Sequence, residues 1–178
     1  MSGLKVIGLA GWSGAGKTTL LSRLIPLLVA RAVRVATLKH AHHGFDVDHP
    51  GKDSHVHRQA GASEVIVSSA RRWAQIREVE EGMEARLPDL LRRLSPDGLA
   101  LVEGFKRESH AKLEVFRAAN GRPPIHPDDP HIVGIASDVP FAEAGVPVVG
   151  LDDIEAIADL VLSRAEPLDA VLARLESV

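Results

Sequence analysis

Residues Gly11 to Thr18 read Gly-Trp-Ser-Gly-Ala-Gly-Lys-Thr, which satisfies the pattern G-x-x-x-x-G-K-[ST]. These residue types at this spacing suit a polyphosphate carrying Mg²⁺, as in the phosphate-binding loop (P-loop) of nucleotide triphosphatases. Gly11, Gly14 and Gly16 allow backbone angles and a close phosphate approach that a Cβ would block. Convergent N–H groups at a helix N-terminus make an anion nest, and the helix dipole favours negative charge there. Lys17 is expected to reach the β- and γ-phosphates, and Thr18 to place its hydroxyl on Mg²⁺. The candidate nucleotide contacts are therefore Gly11, Ser13, Gly14, Ala15, Gly16, Lys17, Thr18 and Thr19.

A P-loop site usually takes a carboxylate from the end of a neighbouring buried strand, to hold the metal or a water. Leu99-Ala-Leu-Val-Glu103-Gly104 has that form. Glu103 stands where Asp is more usual, and its longer arm still reaches a metal shell. Glu103 is the second candidate metal ligand beside Thr18, and a candidate catalytic residue beside Lys17. The alternative is an acid that merely ends a strand. Lys106 and Arg107 follow at the same sheet edge, where one could neutralise γ-phosphate charge or both could simply be surface cations.

Six of the nine histidines fall between His40 and His57, with Asp46, Asp48 and Asp53 interleaved. Imidazole suits Zn, Ni and Cu, but the spacing does not match a standard helical His pair. A switch or substrate loop near the nucleotide, a transition-metal site and a solvated loop all remain readings of this segment. Asp53 could serve only as the N-cap of the next helix.

The elements that must position these residues follow from pattern. Leu4 to Ala10 is an apolar strand leading into the P-loop, and Lys17 to Arg31 a helix with Leu20, Leu24, Leu27 and Leu28 inward. Pro26 removes one helical hydrogen bond, which predicts a kink. Val33–Leu38, Leu99–Val102, Ile132–Ala136 and Val146–Val149 are further strands. Ser54–Gly61 is a short helix. Glu64–Ser69 and Arg72–Val79 predict a hairpin. Met83 to Leu94 is periodic as a helix, with Pro88 tolerable near its start. Lys112–Arg117 alternates polar and apolar, which predicts an edge or antiparallel strand. Asn120–Pro130 is a Pro-rich loop. Ile154 to Val161 is a helix capped from Asp152-Asp153, and a last helix starts at Pro167. Alternating strands and helices predict an α/β, P-loop NTPase-like fold. Its sheet is mainly parallel and flanked by helices, with an antiparallel hairpin extension.

At 178 residues the chain is most economically one nucleotide-binding domain, residues 1–178. It has no Cys, which excludes disulfides, thiolate metal sites and thiol catalysis, and fits a cytoplasmic location. Net charge −3 gives no general electrostatic case for nucleic acid. No apolar run reaches the ~20 residues that span a bilayer, and the first strand leaves no room for a signal peptide.

Several segments together resemble the MobB family of molybdopterin-guanine dinucleotide biosynthesis adapter proteins. They are the P-loop with Thr19-Leu20, Leu38-Lys-His-Ala-His-His-Gly-Phe-Asp-Val-Asp48, Pro50-Gly-Lys-Asp-Ser54, and Arg58-Gln-Ala-Gly-Ala62. Arg72-Trp-Ala74, Leu101-Val-Glu-Gly-Phe-Lys106 and Ile135-Ala-Ser-Asp-Val-Pro140 complete the set. The resemblance spans nearly the full length. It implies a GTP-binding protein with weak intrinsic GTPase activity, which assists the guanylyltransferase MobA in joining GMP to molybdopterin. It also implies a homodimer formed by sheet extension, for which residues 64–79 are the candidate contact. By position it carries Gly14, Gly16, Lys17, Thr18 and Thr19 to the phosphate site and Glu103 to the Mg²⁺ side. Ala136-Ser137-Asp138 is where a base-recognition loop could lie, since an Asp carboxylate accepts from guanine N1–H and N2–H₂. No Asn-Lys-x-Asp motif is present. A P-loop small-molecule kinase using Asp46, Asp48 or Asp53 as base, and a nickel or zinc metallochaperone GTPase, are the alternatives.

Overall fold

The computed structural model describes residues 3–41, 44–80 and 83–177. In chain order the elements are β1 (Gly3–Ala10), α1 (Lys17–Ala30), β2 (Val35–Lys39), α2 (Asp53–Gln59), β3 (Glu64–Ser68), β4 (Trp73–Arg77), α3 (Leu87–Leu91) and β5 (Asp97–Glu103). There follow β6 (Lys112–Phe116), a 3₁₀ turn (Ala118–Asn120), β7 (Ile132–Ser137), β8 (Val148–Gly150), α4 (Ile154–Arg164), β9 (Glu166–Pro167) and α5 (Leu168–Glu176). The chain folds as two compact units, one running up to His40 and again from Leu87, the other covering Ala41–Arg86.

The first unit carries the sheet in the order β2-β5-β1-β6-β7-β8, every neighbour parallel, with β9 pairing antiparallel to β1. The two-residue alternation of a strand explains its two cores. On β1, Ile7 and Leu9 face one side with Leu99 and Leu101 of β5, against Leu20, Leu24 and Leu28 of α1 and Ile157 and Val161 of α4. Leu4 and Val6, with Ala100 and Val102, face the other, against Leu87 and Leu91 of α3 and Val171 and Leu175 of α5. Both faces of β1 and β5 are thus covered, which is why these strands read as near-continuous apolar runs. Asp153 caps α4 by accepting from the Ala156 N–H at 3.0 Å.

Two elements depart from expectation. β6 is neither an edge nor antiparallel: it lies between β1 and β7, parallel to both. Its polar residues Lys112 and Glu114 are each 1% exposed. Their partners come from elsewhere in the chain. The Lys112 ammonium donates to the Glu108 carbonyl at 2.6 Å and lies 3.0 Å from Asp129. The Glu114 carboxylate accepts from Ile125 and His126 N–H at 2.7 and 2.9 Å. Alternation therefore marks internal satisfaction here, not a wet face. The helix expected from Met83 begins only at Leu87, because Pro88 suits a first turn and opposes helix before it.

The second unit holds α2 and the two-stranded antiparallel sheet β3–β4, in register from Glu64↔Arg77 to Ser68↔Trp73. The hairpin forms as expected, as a sheet of its own. Arg58 ties the unit together, binding Asp46 at 2.7 Å, Asp48 at 3.2 Å and Glu78 at 2.7 Å. The hairpin leaves Ile66 64% and Trp73 68% exposed. Among the described residues no helix is long and apolar enough to cross a membrane.

Candidate functional site

Parallel register sets the site. β1 and β5 pair from Gly3↔Asp97 to Leu9↔Glu103, so Glu103 reaches the sheet edge where the P-loop departs. A Cβ on Gly11, at φ +150°, would stand 2.6 Å from the Val115 carbonyl of β6. Glycine is thus required where the loop crosses that strand. Gly16, at φ +94°, is the N-cap of α1. Among the described residues no side chain caps this helix, and its first turn holds no acid, so its leading N–H groups and dipole suit an external anion.

The Lys17 ammonium donates to the carbonyls of Gly11 at 2.8 Å and Trp12 at 3.2 Å. Desolvation holds its pKa below the usual lysine range; the Glu103 carboxylate acts the other way, and Lys106 and Lys39 add to the lowering. Thr18 Oγ1 donates to Glu103 Oε1 at 3.4 Å, and Lys39 Nζ lies 3.9 Å from Glu103 Oε2. The hydroxyl and carboxylate expected to share a metal therefore converge. Both are hard oxygen donors, the type Mg²⁺ prefers. Ser13, Gly14 and Thr19 are exposed along the loop, and Ala15 is packed inward. Two residues after Glu103, Phe105 takes φ +48°, a left-handed angle that costs energy for a residue with a Cβ. Its ring centroid lies 4.8 Å from that of His40.

Three residues near the loop had escaped the sequence reading. Trp12 Nε1 donates to the Pro123 carbonyl at 2.8 Å, and Lys106 lies 4.8 Å over its ring. Asn120 Nδ2 donates to the Ser13 carbonyl at 3.0 Å. Arg117 brings its guanidinium beside Gly16, 3.7 Å from the point a Cβ there would occupy. Arg117 carried one available signal: it is a cation immediately following a strand. Asp138 immediately follows β7, where its Oδ1 accepts from the Ala118 N–H at 2.8 Å and its Oδ2 lies 4.0 Å from Arg117.

The histidine-rich segment divides differently. His40 belongs to the first unit, whereas His49, His55 and His57 lie in the second. His42 and His43 lie outside the described residues. Among the described residues no three His, Cys, Asp or Glu side chains gather as a metal site. Asp46 and Asp48 are both engaged by Arg58. Their carboxyls are held below the usual range, chiefly by the Asp48 N–H for Asp46 and by the Ser54 hydroxyl for Asp48. Asp53 opens α2 as its first residue; the N-cap is Lys52.

The chain matches the family profile MobB, molybdopterin guanine dinucleotide synthesis protein B, over residues 6–138. It is 44% identical to the molybdopterin-guanine dinucleotide biosynthesis adapter protein of Escherichia coli K12, covering 89% of this chain and 92% of that one. The adapter protein of the same description from Haemophilus influenzae is 37% identical, with 89% and 88% covered. Among solved structures, a molybdopterin-guanine biosynthesis protein B superposes with a TM-score of 0.66 at 27% identity, covering 89% of this chain and 98% of that one. Bacillus subtilis MobB superposes at 0.70 with 24% identity, covering 91% and 98%, a likeness of fold.

Proposed function

This chain belongs to the MobB family, molybdopterin guanine dinucleotide synthesis protein B, and on that premise we propose that it is a GTP-binding adapter in molybdenum cofactor biosynthesis. It holds GTP, hydrolyses it slowly, and assists a guanylyltransferase of the MobA type in the cytoplasm. Molybdopterin itself is a further candidate contact. The observation that carries the nucleotide reading is the convergence of Lys17, Thr18 and Glu103 around an uncapped helix N-terminus.

In this reading the N–H groups of Gly11 to Thr19 cradle the phosphates, with Ser13 and Ala15 contributing backbone donors. Lys17 transfers its ammonium from the Gly11 and Trp12 carbonyls to the β- and γ-phosphate oxygens. Thr18 and Glu103 would hold Mg²⁺, which when bound neutralises phosphate charge. Asp138 accepts from the guanine edge. A homodimer forms through the 64–79 hairpin, whose exposed Ile66 and Trp73 support that role.

Incubation with GTP, alone and with candidate small-molecule acceptors, tests the adapter against a kinase. Slow phosphate release indifferent to acceptor is expected. Phosphorylated acceptor would overturn the adapter reading. The engagement of Asp46 and Asp48 by Arg58 favours the first outcome, because neither is placed as an unencumbered base.

A further inference from the structure

β5 and β6 flank β1 on opposite sides. The β5 flank carries Glu103 at its end, with Lys39 on the next strand out, and Lys106 follows three residues after Glu103. Lys106 and Lys39 both help to lower the Lys17 pKa. Metal and terminal-phosphate chemistry therefore has its charges on one side. On the opposite flank Arg117 leaves the end of β6, on the side of Asp138, which the GTP reading sets at the guanine edge.

Arg117 lies between two elements of the site. Its Nη2 and Nε lie 3.7 and 3.9 Å from the position of a Cβ on Gly16, the cap of α1. Its Nη1 lies 4.0 Å from Asp138 Oδ2, with the side chain 43% exposed. Asp138 Oδ1 meanwhile accepts from the Ala118 N–H, and Asn120 donates to the Ser13 carbonyl. The short segment Arg117–Asn120 thus spans from the P-loop to the end of β7. A guanidinium is planar, stays charged, stacks on aromatic faces and orients carboxylates. Lysine would supply the charge without the plane.

We propose that Arg117 is a specificity-determining residue of the nucleoside half of the site: its guanidinium covers the face of the purine ring and orients the Asp138 carboxylate toward the guanine edge. The inference rests on the GTP reading above. Arg117 acts on the base, and the phosphates are left to the loop, Lys17 and the β5 flank.

Isothermal titration with GDP, ADP and inorganic tripolyphosphate tests this on the wild type, Arg117→Gln and Arg117→Lys, each checked by thermal melting. The wild type is expected to prefer GDP over ADP. Arg117→Gln should weaken GDP about tenfold, equivalent to about 1.4 kcal/mol, and narrow the preference, with tripolyphosphate affinity unchanged. Arg117→Lys should narrow the preference as well, because charge alone does not restore a stacking plane. Equal losses for GDP and tripolyphosphate would overturn the proposal and make Arg117 a phosphate cation. A guanine preference that survives in Arg117→Gln would overturn the role of Arg117 while leaving the GTP reading standing. A wild type that binds GDP and ADP alike would overturn the guanine reading itself, and this role with it.

Discussion

Glu114→Ala removes the carboxylate that holds the loop beside the proposed nucleotide site. Glu114 is 1% exposed, and its two oxygens accept separately, Oε1 from Ile125 N–H at 2.7 Å and Oε2 from His126 N–H at 2.9 Å. Alanine leaves both donors without a partner. Each unsatisfied buried N–H costs about 1–3 kcal/mol, so the variant loses about 2–6 kcal/mol. A chain of this size shifts by about 2–4 °C per kcal/mol, which places the fall in melting temperature at roughly 10 °C. Glu114→Gln keeps one accepting oxygen and should lose about half as much. The same loop donates Asn120 to Ser13 and accepts from Trp12 at Pro123, so GTP affinity should fall with stability. Calorimetric melting of the three proteins is the assay. A shift under about 2 °C for Glu114→Ala would refute the claim that buried polarity organises this loop.

His110 supplies a pH prediction. The ring is fully buried, and among the described residues neither nitrogen has a hydrogen-bond partner. Burial, with lesser help from Lys112, pulls its pKa from 6.5 down to about 3. The unfolded chain therefore binds a proton below pH ~6.5 that the folded chain refuses, and stability falls as pH drops through the window from 6.5 to about 3. At pH 5 this amounts to about 2 kcal/mol. Urea midpoints measured from pH 8 to 5 should show that loss in the wild type and not in His110→Leu; parallel curves would exclude His110 as the source. At the hairpin, Ile66→Glu places a charge on an exposed apolar strand and should weaken self-association at least about tenfold, seen as monomer by light scattering. A wild type already monomeric at the same concentration would remove the hairpin's proposed role.

The parts legible in the sequence are those whose physics is local. The P-loop, the strand before it and the helix after it follow from adjacent residues, and Glu103 from an apolar run ending in an acid. The β3–β4 hairpin follows from two β-like runs and a short polar junction, where Ser69 Oγ accepts from Arg72 N–H. What stayed hidden depends on distant partners. Lys112 and Glu114 look like surface residues until Asp129 and the Ile125–His126 backbone are brought against them. The placement of Arg117 against Gly16 depends on β6 lying parallel and next to β1, whereas its alternation predicts an edge or antiparallel strand. β9 is only Glu166–Pro167, too short to carry a period. The resemblance to the family rests on side-chain identities spread over loops, strand ends and helix ends, which no periodicity encodes.

The central claim is that Lys17 and its loop bind a nucleoside triphosphate. Titration of Mg-GTP into the wild type and Lys17→Ala tests it directly. Charge-assisted hydrogen bonds contribute about 1.5–3 kcal/mol each, so losing the two that Lys17 would make to the β- and γ-phosphates predicts at least about a hundredfold weaker binding. Saturable binding in the wild type with none measurable in Lys17→Ala is the expected result. Equal affinity in the two proteins would contradict the account.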